Sequence, residues 1–501
     1  MNTSRRFFLR GLGVTGATSL LGGCRVWTCP TGAASTGDAK LKFGVLSDVH
    51  LRVPVEDVFN HHVDDFYIRR ALEWYRDQGV DAVLIAGDIA DHGLCSQLES
   101  LAKAWNDIFP DNCAPDGRHV EKLFIMGNHD CCNGARIASF KKKYPDPEEL
   151  KRAVISADHE GNWERIFDEP FKPVYVKTVK GYTFIGAHWM NIEKDGKQLF
   201  EVADPTEVIA KVAPTVDPAK PFFYFQHPQP AGTCYGECWG QDNGAVTKAL
   251  SAYPNAVAFS GHSHYSLTDE RTIWQGAFTS INTSSLSFSG FPPVVDGNEY
   301  GYENVRGSSR NHEQEKVASE CPFQYIAKQG MLVEVYEDRM VLVRREFRWE
   351  GSLGDDWVIP LRFDGSNPAS EANRKKKERP PRYPKGAKVK VNSFECANRK
   401  GEKVPCFDVI VPQANVEKAT RPFQYELRIV LEDGTVFGTR KLLTPGYNMP
   451  AETVDCYCPV SIPIAKSQLP QDKSFRFEVV PMSSLGTRGE ALASELLHLN
   501  K

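Results

Sequence analysis

From Leu41 to about Phe363, short apolar runs alternate with longer stretches whose apolar residues recur at helical spacing. LKFGVLS (41–47), DAVLIAG (81–87) and KLFIMG (122–127) predict strands. Between them, VDDFYIRRALEWYRDQG (63–79), with Phe66, Ala71 and Trp74 among its apolar positions, and SQLESLAKAWNDIF (96–109) predict amphipathic helices. A βαβαβ beginning implies parallel strands joined by helical crossovers. The order then changes. VYVKTVKGYTFIGAHW (174–189) reads as a hairpin turning at Lys180-Gly181. Further strands follow at PFFYFQH (221–227), NAVAFSG (255–261), RTIWQGAFTSIN (271–282) and MLVEVYEDRMVLVRREF (331–347). Late antiparallel strands after an α/β start predict two mixed sheets packed together, with helices outside.

Residues 286–320 interrupt this pattern with a long, polar, Gly-rich stretch, a length that in a compact domain is usually functional or disordered. Gly365 to Gly386 is rich in Pro, Ser and basic residues and reads as a boundary linker, its RKKKER run (374–379) solvated. Beyond it KVKVNSF, CFDVIV, FQYELRIVLE, TVFGTRKLL and SFRFEVVP are strands at the spacing of a β-sandwich. SFRFEVVPMSSLGTRGE resembles the last strands of fibronectin type III-like modules. The expected division is therefore an export signal and N-terminal tail (1–40), an α/β catalytic domain (41–364), a linker (365–386) and an all-β sandwich (387–501).

The length of 501 residues agrees with two domains, and 41% hydrophobic with 25% charged residues describes an ordinary globular protein. A net charge of -4 with no clustered basic face gives no nucleic-acid-binding patch. The first residues change the picture more. Ser4-Arg5-Arg6-Phe7-Phe8-Leu9-Arg10 precedes a weakly apolar, Gly-rich stretch that is too short to span a bilayer. This resembles a twin-arginine export signal, which implies a folded, exported bacterial protein, periplasmic or at the cell surface. Leu21-Gly22-Gly23-Cys24 resembles a lipoprotein processing site, with Cys24 as the lipid anchor; cleavage near Ala33 or Ala34 is the alternative. Twelve further cysteines permit disulfides whose pairing the sequence leaves open, and none forms a CxxC pair.

The candidate chemistry lies at strand ends. Asp48-Val49-His50 follows the first strand and Gly87-Asp88-Ile89-Ala90-Asp91 the second; Gly127-Asn128-His129-Asp130 follows the third. Later strands run into Gln226-His227-Pro228 and Gly261-His262-Ser263-His264. In open α/β sheets the carboxyl edge is where ligands bind. Gathering so many Asp and His side chains without a metal would leave uncompensated charge and unpaired polar groups. Carboxylate, imidazole and amide oxygen suit Mn, Fe, Zn or Co. Seven ligands exceed one tetrahedral site but serve two metal ions about 3.5 to 4 Å apart with one shared carboxylate, the arrangement that drives in-line phosphoryl transfer.

DxH, GDxxD, GNHD, a lone His and GHxH, in this order, resemble the calcineurin-like metallophosphoesterase superfamily over roughly residues 41–350. The resemblance implies a four-layer α/β/β/α sandwich of two mixed sheets and a dinuclear centre of two divalent or trivalent ions. Asp48, His50 and His264 would hold one ion, Asn128, His227 and His262 the other, and Asp88 would bridge. A metal-bridging hydroxide would attack a phosphate-ester substrate, monoester or diester, with His129 as general acid and Asp130 orienting His129 or positioning its loop. The chain also departs from known branches. Asp91 stands where purple acid phosphatases carry a tyrosine, and Asp91-His92-Gly93 lacks the arginine of protein Ser/Thr phosphatases. Asp91 is expected to hold a ligating imidazole, and His92 and His188 to be structural. Tyr235 and Trp239, in AGTCYGECWGQDNG (231–244), are candidate rim residues on a loop that Cys234 and Cys238 could instead staple. The competing reading is a cell-surface binding or adhesion protein on an inactive phosphoesterase fold.

Overall fold

The structure, a computed structural model, describes residues 38–52, 64–194, 197–237, 239–296, 301–305, 326–397, 402–415, 420–450, 453 and 459–499. Cys24 and the arginine pair lie outside the described residues, as do Cys238 and Cys321.

The βαβαβ start is β1 (Leu41–Leu46), α1 (Asp64–Gln78), β2 (Ala82–Ala86), α2 (Cys95–Ile108) and β3 (Glu121–Ile125). The three strands pair in parallel. Strand Gln329–Val335 joins β1 antiparallel, Leu41 opposite Val335, and Arg339–Glu346 extends the sheet beyond it. The second sheet runs Ile273–Gln275, Thr279–Asn282, Ala256–Ser260, Phe222–Phe225, Tyr182–Ala187 and Val174–Val179. Its four central strands are parallel and its edges antiparallel. Both sheets are therefore mixed.

Alternation of side chains along the strands makes the layers. Phe43, Val45, Leu84 and Ile125 face Phe184, Phe223, Phe259 and Ile281 between the sheets. Phe43 sits edge-on to Phe184, Phe223 and Phe259 at 5.4, 5.1 and 5.8 Å. Leu46, Val83 and Ile85 point outward, onto Ile68, Leu72, Leu101 and Trp105 of α1 and α2. On the far side, Ile185, Tyr224 and Ala258 pack on helices Thr206–Val212 and Ala245–Leu250. This is the expected four-layer α/β/β/α sandwich of two mixed sheets. One residue of the expected helix face is misplaced. Phe66 is 49% exposed, because Ile68, Ala71, Leu72 and Tyr75 define the buried stripe and residue 66 lies off it.

The C-terminal region adds two antiparallel sheets. One is Lys390–Ala397, Lys403–Val411 and Val460–Ala465; the other is Val436–Leu443, Gln424–Leu431, Phe475–Met482 and Leu492–Ala493. Val409, Val411 and Ile462 meet Tyr425, Leu427, Phe477 and Val479 in a shared core. Residues 39–501 form one compact unit, and the seam with the α/β sheets is well bonded. Gln329 donates to the carbonyl of Asn448 at 2.9 Å and Thr268 Oγ1 to that of Tyr447 at 2.5 Å. Of the described part of 286–320, Val294, Val295, Tyr302 and Val305 lie in this seam, on Phe423, Leu443, Tyr447 and Met482. The RKKKER run is not simply solvated. Arg374 donates to Glu270 at 2.9 Å and to the carbonyls of Ala369 and Ile273 at 2.9 and 2.7 Å, because Glu270 places a carboxylate within its reach.

Candidate metal centre

Asp48 and His50 lie just past β1, Asp88 past β2 and Asn128 past β3; His227 and His262 follow Phe222–Phe225 and Ala256–Ser260. Parallel strands thus deliver all of them to one edge. The loops after β1 and β2 keep pairing beyond the sheet, Asp48 N and His50 N donating to the carbonyls of Gly87 and Asp88 at 3.0 Å each. The backbone there is strained. Asp48, His50, Asp88, His262 and His264 all have positive φ, between 48° and 70°. Each such residue costs roughly 1–3 kcal/mol and persists only where its surroundings over-determine it. No sequence pattern carries that signal.

The donor atoms gather into overlapping groups, Asp48–His50–His264, His50–Asp88–His129 and Asp88–His227–His262, each within 4.8 Å. Asp48 Oδ1 lies 2.8 Å from His264 Nε2, and Asp88 Oδ2 lies 3.0 Å from His227 Nε2 and 3.7 Å from His50 Nε2. Asp88 therefore stands between His227 and His50, and belongs to two of the three groups.

Three imidazoles are held from behind. His50 Nδ1 meets Asp91 Oδ1 at 2.9 Å, His264 Nδ1 the carbonyl of Phe288 at 3.1 Å, and His227 Nδ1 that of Ala86 at 2.7 Å. Donation to these acceptors leaves each Nε2 with its lone pair toward the interior. His50 Nε2 and His264 Nε2 then face each other at 3.3 Å, and His227 Nε2 faces His262 Nδ1 at 3.2 Å. Such an arrangement asks for an electrophile. Two buried oxygens point the same way: Asp48 Oδ1, which is close to His264 but outside hydrogen-bonding geometry, and Asn128 Oδ1 make no hydrogen bond. Buried acceptors are normally satisfied, so these residues fit metal ions.

The electrostatics agree. Burial disfavours charge on Asp48, yet His264 and His227 outweigh it and hold the carboxyl well below its usual range. Asp88, also opposed by burial, is lowered chiefly by His227. Burial works against a charged His50, but Asp48, Asp91 and Asp88 push its pKa up to about 10. Fixed carboxylates thus favour positive charge here.

His129 is the half-exposed member, its side chain 36% accessible and its Nδ1 2.9 Å from the carbonyl oxygen of Asp91. Asp130 does not touch that ring. Its buried carboxylate accepts from the backbone amides of Gly127, Ala90 and Ile89 at 2.7, 2.6 and 3.2 Å, tying the β2 and β3 loops together. Burial, with the nearby charge of Asp88, raises its pKa to about 7. Of the two expected geometries for Asp130, the structure has the loop-positioning one. Gly127 serves by size: its φ of -108° suits any residue, but a Cβ would lie 2.3 Å from Asp88 Oδ1.

Cys131 and Cys132 are buried free thiols, donating to the carbonyls of Trp189 and His92 at 2.8 and 3.0 Å. Burial raises both pKa values, that of Cys132 to about 11. His188 is buried among Trp163, Phe171 and Tyr175 and accepts from Met126 N at 3.1 Å, a structural role. The rim expectation divides. Trp239 stacks on His262 at 4.6 Å, whereas Tyr235 is buried with its hydroxyl on Thr272 at 2.6 Å. Arg52 and Arg136 were not foreseen; they donate to the Asp91 carboxylate and carbonyl, each at 3.0 Å. An isolated arginine carries no sequence signal for such a contact.

Residues 41–266 match the family model of the calcineurin-like phosphoesterases, which places such a domain over a span containing every residue of this centre. None of the curated proteins matches the chain. Among solved structures, a dimetal phosphatase from Danio rerio is 14% identical, covering 65% of this chain and 100% of its own, with TM-score 0.37. GAP50, the anchor in the inner membrane complex of Plasmodium, is 11% identical over 64% of this chain and 89% of its own, with TM-score 0.33. Vps29 of Entamoeba histolytica, complexed with zinc, is 10% identical over 64% and 100%, with TM-score 0.27.

Proposed function

We propose that the protein is an exported dinuclear metal-dependent phosphoesterase that hydrolyses phosphomonoester or phosphodiester bonds. The observation that carries this reading is the overlap of three donor groups, Asp48–His50–His264, His50–Asp88–His129 and Asp88–His227–His262, at a cavity where two buried oxygens, Asp48 Oδ1 and Asn128 Oδ1, make no hydrogen bond. Asp48, His50 and His264 would hold one ion, Asn128, His227 and His262 the other, and Asp88 both. When bound, such a pair supplies an activated water and neutralises charge on the phosphoryl oxygens.

The chain's own residues do the rest. Asp91 and the carbonyls of Phe288 and Ala86 fix the orientation of the ligating imidazoles. Asp130 holds the loops that carry Asp88 and Asn128 in register. His129, with Nδ1 on the Asp91 carbonyl, would use Nε2 to pass a proton to the leaving oxygen. The twin-arginine pattern at Arg5-Arg6 supports export, and Cys24 is the proposed lipid anchor. Replacing both arginines by lysine should leave the protein in the cytoplasm.

The test is metal content and hydrolysis of chromogenic monoesters and diesters, for wild type and Asp88→Asn. Two ions per chain with turnover, both lost in the variant, is the expected result. A protein carrying two ions that hydrolyses neither ester would overturn the reading.

A further inference from the structure

Beside the metal-ligating groups opens a cavity of about 740 Å³. Its inner wall is His50, Asp88, Asn128, His129, His262 and His264; its outer wall is apolar, made by Trp239, Phe288, Phe291, Pro292, Tyr302 and Val305. We propose that this outer wall is a subsite for a bulky apolar organic group, alkyl or aryl, esterified to the phosphate. The proposal rests on the phosphoesterase reading and names its substrate class.

Three observations carry it. The first is position. Phe288 lies 4.3 Å from the His264 ring and Trp239 lies 4.6 Å from the His262 ring, so the apolar wall begins where the ligating imidazoles end. A phosphoryl group at the centre would have its organic substituent against these rings. Trp239 is 59% exposed, a large apolar surface that a ligand would take out of water.

The second is charge. Among the described residues lining the cavity, Arg52 is the only lysine or arginine, and its guanidinium is already on Asp91 at 3.0 Å. Among the described residues of the lining, a substrate with further phosphates or carboxylates would meet no second countercharge. A neutral hydrocarbon or aryl group meets a matching surface.

The third is rigidity. Arg271 donates to the carbonyls of Pro293 and Val294 at 3.0 and 3.2 Å. Asn304 exchanges two hydrogen bonds with the backbone of Leu443, at 2.8 and 2.9 Å. Val294, Val295, Tyr302 and Val305 rest on Phe423, Tyr447, Val480 and Met482. The C-terminal β-region thus braces the wall before any ligand arrives, which lowers the entropic cost of binding.

The test uses the metal-loaded protein and a series of non-hydrolysable alkylphosphonates, ethyl, butyl, hexyl and octyl, titrated by calorimetry. The headgroup is constant, so chain length alone reads the wall. Affinity is expected to rise about two- to fourfold per added methylene. In Trp239→Ala, whose exposed ring is not needed for folding, and in Phe291→Ala, the dependence on chain length should flatten. Equal affinity from ethyl to octyl overturns the subsite and leaves the phosphoesterase reading standing. If two metal ions are bound yet no phosphonate binds and no ester is hydrolysed, both fall.

Discussion

The hydroxyl of Tyr447 donates to the carbonyl oxygen of Gly290 at 2.8 Å, linking the C-terminal β-region to the candidate metal centre. Gly290 N in turn donates to the carbonyl of His264 at 2.7 Å, and His264 Nδ1 is held by Phe288 at 3.1 Å. A Cβ at Gly290 would come within 2.4 Å of the Ser263 carbonyl, so this segment lies hard against the loop it supports. One hydrogen bond of this kind is worth about 1 kcal/mol net. Tyr447→Phe is therefore expected to lower kcat/KM by roughly fivefold while moving the thermal midpoint little. Steady-state kinetics and a thermal melt check this; a lowered midpoint with unchanged kinetics would make Tyr447 a seam residue only.

Asp91 is the second lever. It accepts from His50 Nδ1 at 2.9 Å and from Arg52 Nε at 3.0 Å, and both burial and these partners act on its carboxyl, the partners winning and keeping it ionised. Asp91→Asn presents either an oxygen or an amide to His50, with no charge to raise the basicity of its inward nitrogen. Loss of such a partner typically costs ten- to a hundredfold in metal affinity, about that range being expected here. Metal titration of the apoprotein measures it. An unchanged affinity would mean that His50 needs no fixed orientation.

The site was legible because its residues follow strands, and a strand's end is visible as an apolar run breaking into Asp, His or Asn. Asp48, Asp88 and His262 could be found this way, as could the two mixed sheets. What the sequence hides is whatever depends on the third dimension. The buried stripe of α1 passes Phe66 by, Tyr235 turns inward to Thr272 while Trp239 stays outside, and Arg374 finds Glu270 across more than a hundred residues. Asp130 reads as orienting His129 or positioning its loop, and two of its three backbone partners, Ile89 and Ala90, come from a different loop. The positive φ angles of Asp48, His50, Asp88, His262 and His264 leave no trace in composition at all.

His188 gives a prediction for stability rather than chemistry. Burial, aided by the charges of His159 and Lys177, lowers its pKa from 6.5 to about 3. A histidine that is less basic folded than unfolded adds stability above about pH 6.5, and that stability drains away as pH falls toward 3. Between pH 7.5 and 5 the loss from this residue is about 2 kcal/mol. In His188→Asn, whose side-chain oxygen can still accept from Met126 N, the denaturation midpoint at neutral pH is lower but its fall toward pH 5 is shallower. Urea titrations at the two pH values compare the slopes. Identical slopes would show that His188 is not held neutral in the folded chain.

Gly127 and Gly134 separate space from flexibility. Neither has a positive φ, so neither is there for a conformation that other residues avoid. At Gly134, in the first turn of a helix, an added Cβ would meet nothing within 4 Å. Gly134→Ala should keep full activity and gain up to about 1 kcal/mol in stability. At Gly127 the same methyl would lie 2.3 Å from Asp88 Oδ1 and 2.5 Å from Asp88 N. Asp88 cannot retreat freely, because its Oδ1 accepts from His129 N at 2.8 Å and its Oδ2 lies 3.0 Å from His227. Gly127→Ala must displace the carboxylate that two of the donor groups share and the loop bearing Asn128 and His129 together. Loss of more than about a hundredfold in kcat/KM is expected, with fewer than two ions bound, since misplacement by about 1 Å alone costs that much. Kinetics and metal analysis of the two variants side by side decide it, because an equal response would mean that the close approach of Asp88 to Gly127 does not govern the site.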